Sequence, residues 1–235
     1  MDSRERLIAM ATDRDTDTAD PIETRSAERV RRALVNAIAY MIPLVMSSPG
    51  LYAGIMTAPF LVYLVLMFTS QEGVPYLLLG GSMLENIVLT LGIAFFLYSV
   101  ISLWRTKSKG LVTCGPYRIV RHPQYLSLIL FTAALTSRSV WVLLNTFGIG
   151  FLPPHETIAV WFIMVLVYLG LAVFEERHLA GLYREEWPGY RRRVGFLIPL
   201  VTSKRRWLEI VVSLIFLVVL MVSLLQINNT LWWFL

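Results

Sequence analysis

The chain has 235 residues, of which 56% are apolar and 16% charged, with a formal net charge of +5; a soluble domain carries about 25% charged residues. No Asp, Glu, Lys or Arg occurs over 33–71, 157–174 or 210–235, and an apolar run of about 20 residues spans a hydrocarbon core of ~30 Å, which excludes an ordinary soluble fold. Of the 21 Lys and Arg residues, 20 fall in the polar stretches 1–32, 105–121 and 177–206, the pattern of loops held at the cytoplasmic face, so the positive charge argues against a nucleic-acid partner and for the lipid bilayer.

Residues 1–32 hold seven Arg and eight acidic residues, which predicts a polar N-terminal tail and not a cleavable signal. The apolar block 33–69 is interrupted by Ser47-Ser48-Pro49-Gly50, a strong turn signal. The spacing predicts a helical hairpin whose first arm, at about 21 Å, is short for a full crossing, and whose second, Leu51 to Thr69, is long enough. After a polar break at Ser70–Gly73, a helix is predicted from about Leu84 to Trp104, with Glu85 at its start.

The loop 105–122 is basic, and Pro123 opens the next helix, since proline suits the first helical turn. Arg138 lies near the far end of that helix, where a long side chain is expected to snorkel to the interface. Gly150, Pro153 and Pro154 mark a loop at 148–155, followed by a helix from Thr157 to about Phe174 or beyond. A second basic segment fills 175–206, Trp207–Leu225 is the last span, and Trp232-Trp233-Phe234 fits an aromatic belt. Asn36, Asn86 and Asn145 are the few polar candidates in the spans and are expected to hydrogen-bond between helices.

These elements predict an all-α fold: a polytopic transmembrane helical bundle of five or six spans, with a pocket on the cytoplasmic side. Its parts are the tail 1–32, the N-terminal transmembrane helices 33–104, a core 105–206 and the C-terminal transmembrane helix 207–235. Loops 105–121 and 177–206 share the cytoplasmic face, with 148–155 outside. Whether block 33–69 crosses once or twice decides the side of the tail, and the oligomeric state is open. The single cysteine, Cys114, excludes an internal disulfide.

The chemistry-bearing stretch is Lys109-Gly-Leu-Val-Thr-Cys-Gly-Pro-Tyr-Arg-Ile-Val-Arg-His-Pro-Gln-Tyr125, at a loop-to-helix junction. Free backbone N–H groups and the positive end of the helix make such a junction an anion site. Arg118 and Arg121 add charge, His122 a ring that donates or accepts, and Tyr117 and Tyr125 aromatic faces with hydroxyls. These parts suit a ligand with an aromatic base, a carboxylate and a cation. Glu175-Glu176 is the second element: adjacent residues cannot share a helix face, so the two carboxylates are expected to do different things. Glu175 could accept hydrogen bonds from ribose hydroxyls or sit near a sulfonium, while Glu176 could pair with Arg or face water. The third element, Tyr183–Pro199, reads as an interfacial amphipathic segment whose arginines, Arg191 to Arg193, anchor to lipid headgroups.

Over about 102–199 the chain resembles the isoprenylcysteine carboxyl methyltransferase and phospholipid methyltransferase superfamily. The pattern is Leu-Val-Thr-x-Gly-x-Tyr, then Arg-His-Pro-x-Tyr, then Glu-Glu some fifty residues on, then Glu-Glu-Trp-x-x-Tyr-Arg-Arg-Arg-Val. The resemblance implies an enzyme that binds S-adenosyl-L-methionine through Lys109, Gly110, Leu111, Val112, Tyr117, His122, Pro123, Gln124, Tyr125 and Glu175, without a metal. It implies transfer of a methyl group to a lipophilic or small acceptor, with 105–206 as the methyltransferase core. The family's carboxyl methyltransferases carry an arginine one turn before the cofactor-binding glutamate; here that position is Leu171. The glycine often found two residues after the His-Pro-x-Tyr tyrosine is Ser127, still small. An isoprenylcysteine carboxylate, a thiol or a lipid amine all stand as acceptors. Two other readings are an NADPH-dependent membrane reductase of the sterol-reductase type, which has a similar Arg-His-Pro-x-Tyr-like turn, and a non-enzymatic membrane protein.

Overall fold

The computed structural model describes residues 49–67, 81–106, 110–145 and 152–231. Six α-helices occur there: α1 Pro49–Met67, α2 Met83–Thr106, α3 Pro123–Asn145, α4 Pro154–Leu182, α5 Trp187–Arg193 and α6 Arg206–Leu231, with a 3-10 turn at Gly115–Arg118. The protein is all-helical among the described residues, and α2, α3, α4 and α6 are each long and apolar enough to cross a membrane. The apolar helix α1 accompanies them. The polar tail, the first arm of the predicted hairpin, Asn36 and the terminal aromatic triplet lie outside the described residues.

The third helix is the centre of the bundle, packed against α2, α4 and α6. Most of its residues are buried, from Pro123 to Val140, whereas α2 and α6 present broad apolar faces outward. With no hydrophobic drive between helices inside a bilayer, close packing and interhelical hydrogen bonds hold such contacts together. Both occur here. Tyr63 of α1 donates to the Thr132 carbonyl of α3 at 3.2 Å and shares a hydrogen with Thr136 Oγ1 at 2.8 Å. Tyr168 of α4 donates to the Met56 carbonyl of α1 at 3.0 Å. At Gly92 of α2 the backbone of α3 comes so near that an added Cβ would lie 2.9 Å from the Phe131 nitrogen.

Three expectations need correction. Arg138 does not snorkel: its side chain is 1% exposed, beside Glu85 at 3.8 Å and donating to Asn86 Oδ1 at 2.7 Å. The reason is tertiary, because α2 begins with a buried carboxylate at the same depth as the far end of α3. Second, α4 begins at Pro154, within the predicted loop, while its far end at Leu182 agrees with a helix expected to run to Phe174 or beyond. Glu175 and Glu176 therefore lie inside the helix and carry no penalty from its C-terminus. Third, Asn145 bonds within its own helix, to the Trp141 carbonyl at 2.8 Å, and not between helices; Asn86 accepts across the α2–α3 contact as expected.

The start of α2 shows why its chain turns helical there. Ser82 N donates to Glu85 Oε2 at 2.9 Å and Glu85 N donates to Ser82 Oγ at 3.3 Å, a reciprocal capping box. Pro123 opens α3, as its fixed φ and missing N–H suit that position.

Candidate functional site

The site lies where the segment 110–122 leads into α3 and meets α4, α5 and the start of α6. Gly110 has φ +107° with open space where a side chain would be, a conformation that favours glycine. Leu111 packs against a cluster of Trp187, Tyr190 and Val194, so α5 ties down the loop from the side. Tyr117 is buried, and its carbonyl accepts from the Tyr190 hydroxyl at 2.8 Å. Burial above all, then Glu175 and Tyr190, raises the Tyr117 phenol pKa, which keeps the hydroxyl protonated.

A parallel bridge pairs Val120 with Gly195, and Arg121 N donates to the Gly195 carbonyl at 2.9 Å. The turn that follows requires glycine here: a Cβ at residue 195 would lie 2.0 Å from the Ile198 carbonyl oxygen. The segment after α5 is thereby laid along the entry to α3. Phe196 follows, with its ring edge-on to His122 at 5.1 Å and under the Arg121 guanidinium at 5.6 Å. His122 also stacks on Tyr125 at 5.6 Å, and Tyr125 meets Tyr168 of α4 at 5.3 Å. Pro123, Gln124 and Tyr125 are all buried in the first turn of α3.

Charge is concentrated on the same spot. His122 Nδ1 lies 3.3 Å from Glu175 Oε2, and its Nε2 lies 3.5 Å from Glu176 Oε1. Burial would by itself lower the imidazole pKa, but hydrogen bonds and charge from Glu175 and Glu176 outweigh it and the pKa rises above its ordinary value. With a carboxylate facing each nitrogen, the form with two N–H donors is the one that fits. Glu176 is wholly buried and is further surrounded by Arg121 Nη1 at 2.7 Å and Arg206 Nε at 3.3 Å. Glu175 keeps a 19% exposed side chain. The two adjacent glutamates thus have separate jobs: Glu176 is enclosed by cations, while Glu175 bridges His122 and the accessible side.

Among the residues singled out from sequence, Tyr117, His122, Pro123, Gln124, Tyr125 and Glu175 come together around the α3 entry, with Gly110, Leu111 and Val112 leading into it. Lys109 lies outside the described residues. The arrangement has a helix N-terminus, an imidazole biased to its cationic form, a reachable carboxylate and stacked aromatic rings. Together these can hold a ligand that combines anionic, cationic and aromatic parts.

Sequence reasoning did not single out Glu209, Arg206 or Phe196. Glu209 is 1% exposed and hydrogen-bonded to Arg121, and it also accepts from Ser203 N at 2.8 Å. Its one signal in the sequence is its place as the last charge before the uncharged run 210–235. Arg191, expected at lipid headgroups, lies 3.9 Å from Glu209 Oε2, while Arg192 and Arg193 are exposed. No family model, curated protein or solved structure matches this chain.

Proposed function

We propose that the protein is an integral membrane methyltransferase that uses S-adenosyl-L-methionine, with its cofactor site on the cytoplasmic face. The carrying observation is the 3.3 Å pairing of His122 Nδ1 with Glu175 Oε2, which joins the two separated parts of the motif shared with the isoprenylcysteine carboxyl methyltransferase superfamily. The flanking basic stretches support the cytoplasmic assignment through the positive-inside bias.

The residues present fit such a cofactor. The partly accessible Glu175 carboxylate suits ribose hydroxyls or a sulfonium, and the first turn of α3 with a cationic His122 suits a carboxylate. Gly110 leaves room for close approach of a ligand to the backbone. When bound, S-adenosyl-L-methionine supplies an electrophilic methyl group that a nucleophile takes by direct displacement. The protein's share of that task is alignment and exclusion of water, for which the buried His122, Tyr125 and Phe196 are placed. Leu171, one turn before Glu175 on α4, offers no charge to an acceptor carboxylate. This favours a thiol, a lipid amine or another lipophilic acceptor over an isoprenylcysteine carboxylate.

The test is calorimetric titration of the purified protein in detergent with S-adenosylhomocysteine and, separately, with NADPH. The expected result is binding of the first, weakened about tenfold or more by His122→Ala or Glu175→Ala, a loss of about 1.4 kcal/mol or more. Binding of NADPH alone would replace this reading with a reductase, and wild-type affinity in both variants would remove the site assignment. Radiolabelled methyl transfer onto total lipid extract, small thiols and prenylcysteine analogues then identifies the acceptor.

A further inference from the structure

Arg121, next to His122 in the chain, is 1% exposed in its side chain. Its Nη1 lies 2.7 Å from Glu176 Oε1, but that contact is not aligned as a hydrogen bond: Arg121 Nε and Nη1 and both Glu176 oxygens have no hydrogen-bond partner among the described residues. The aligned bond from the guanidinium goes elsewhere, from Nη2 to Glu209 Oε2. Glu209 belongs to α6, 88 positions away in the chain and outside the stretch that carries the family resemblance. Its other oxygen accepts from Ser203 N at 2.8 Å, and Arg191 of α5 lies 3.9 Å from Oε2. One carboxylate therefore ties the entry of α3, the end of α5 and the connection into α6.

We infer that Glu209 is a positioning residue for the candidate cofactor site, acting through Arg121 to hold His122 between Glu175 and Glu176. Glu176 faces Arg121, Arg206 and His122 together. A buried guanidinium without its own carboxylate would draw Glu176 toward itself, because an unpaired buried charge is strongly unfavourable. Glu209 supplies that second carboxylate and leaves Glu176 shared with His122. Arg121 is also fixed by its backbone bond to Gly195 and by Phe196 under its face, so the Glu209 link orients a side chain whose backbone is already placed.

The charged and titratable groups around this centre are Tyr125 on α3, Glu175, Glu176 and Tyr168 on α4, Arg191 and Tyr190 on α5, Arg206 and Glu209 on α6, and Tyr117 and Arg121 on the leading segment. Removing the Glu209 charge leaves a more positive surrounding for the imidazole. The His122 titration then moves to lower pH, which a merely structural contact would not produce.

The inference rests on the methyltransferase reading for its binding readout and is independent of it for the titration readout. The experiment uses the full chain in detergent, as wild type, Glu209→Gln and Glu209→Asp, with Glu85→Gln at the far end of the bundle as control. His122 is followed by NMR of the histidine rings, assigned with His122→Gln, and S-adenosylhomocysteine affinity by calorimetry. Glu209→Gln is expected to lower the His122 midpoint and weaken S-adenosylhomocysteine about tenfold, a coupling within the usual range for residues of one network. Glu209→Asp keeps the charge and is expected to retain the midpoint while weakening the ligand by a smaller factor. An unchanged His122 midpoint in a folded Glu209→Gln protein overturns the inference. Should Glu209→Gln not fold, wild-type affinity in Glu209→Asp overturns it. If the wild type binds no S-adenosylhomocysteine, the proposed function falls, and the midpoint shift alone decides the role of Glu209.

Discussion

Glu85 Oε2 of α2 and Arg138 Nε of α3 meet at 3.8 Å, with side chains 0% and 1% exposed. The pair lies about 23 Å along α3 from Pro123, at the opposite end of the bundle from His122. Asn86 accepts from Arg138 beside it, and Asn228 of α6 donates to the Ser137 carbonyl at 3.2 Å. Three spans are thus joined by polar contacts at one end.

Removing one partner of this pair strands the other. Arg138→Met is expected to destabilise the protein by about 3 kcal/mol, the scale for breaking a buried ion pair from one side. Thermal unfolding in detergent checks it. S-adenosylhomocysteine affinity of the folded fraction is expected to stay at its wild-type value, since the pair is remote from the site.

The adjacent glutamates are expected to respond to different degrees. Glu176→Gln leaves Arg121 and Arg206 facing a neutral amide where a buried carboxylate stood, at a cost of about 3 kcal/mol in stability. Glu175→Gln, at a 19% exposed position, removes one of the two carboxylates facing His122; it is expected to cost less stability than Glu176→Gln and to weaken S-adenosylhomocysteine. Parallel melting curves and binding isotherms separate the two roles. Equal losses of stability would contradict the division of labour.

The raised pKa of His122 has a definite consequence for pH. A group whose folded-state pKa exceeds its unfolded value stabilises the fold fully below the unfolded pKa, about 6.5 for histidine, and loses that contribution as pH rises through the folded pKa. The unfolding temperature of wild type relative to His122→Gln is therefore expected to be highest near pH 6 and to decline toward pH 9. A gap that widens with rising pH would contradict a cationic His122.

Two glycines in spans should behave differently. At Gly92 an added Cβ would come within 2.9 Å of the Phe131 backbone nitrogen, whereas at Gly170 nothing lies within 4 Å. Gly92→Ala is expected to cost about 1–3 kcal/mol by forcing α2 from α3. Gly170→Ala is expected to be neutral or to stabilise by about 0.5–1 kcal/mol through helix propensity. Melting temperatures of the two variants in the same detergent decide it.

Much of the bundle was legible from local features. Long uncharged runs marked α1, α4 and α6, because spanning a hydrocarbon core is set by length and apolar character alone. Pro123 marked the start of α3, because proline acts on the residue where it stands. The far end of α4 was less legible: Glu175, Glu176 and Arg177 break the apolar run, yet the helix continues to Leu182, since Glu176 finds cations on other elements.

Apolar runs and local motifs were enough to specify a helical membrane protein and to single out 109–125 and Glu175-Glu176. Which charges are partners emerged from the packing of the helices. Arg138 looked like an interfacial side chain until α2 brought Glu85 and Asn86 beside it, and Arg121 acquired Glu209 from a helix 88 positions away. The reason is physical. Crossing a bilayer depends on the run of residues itself, whereas the cost of burying a charge depends on which opposite charge the fold delivers to it.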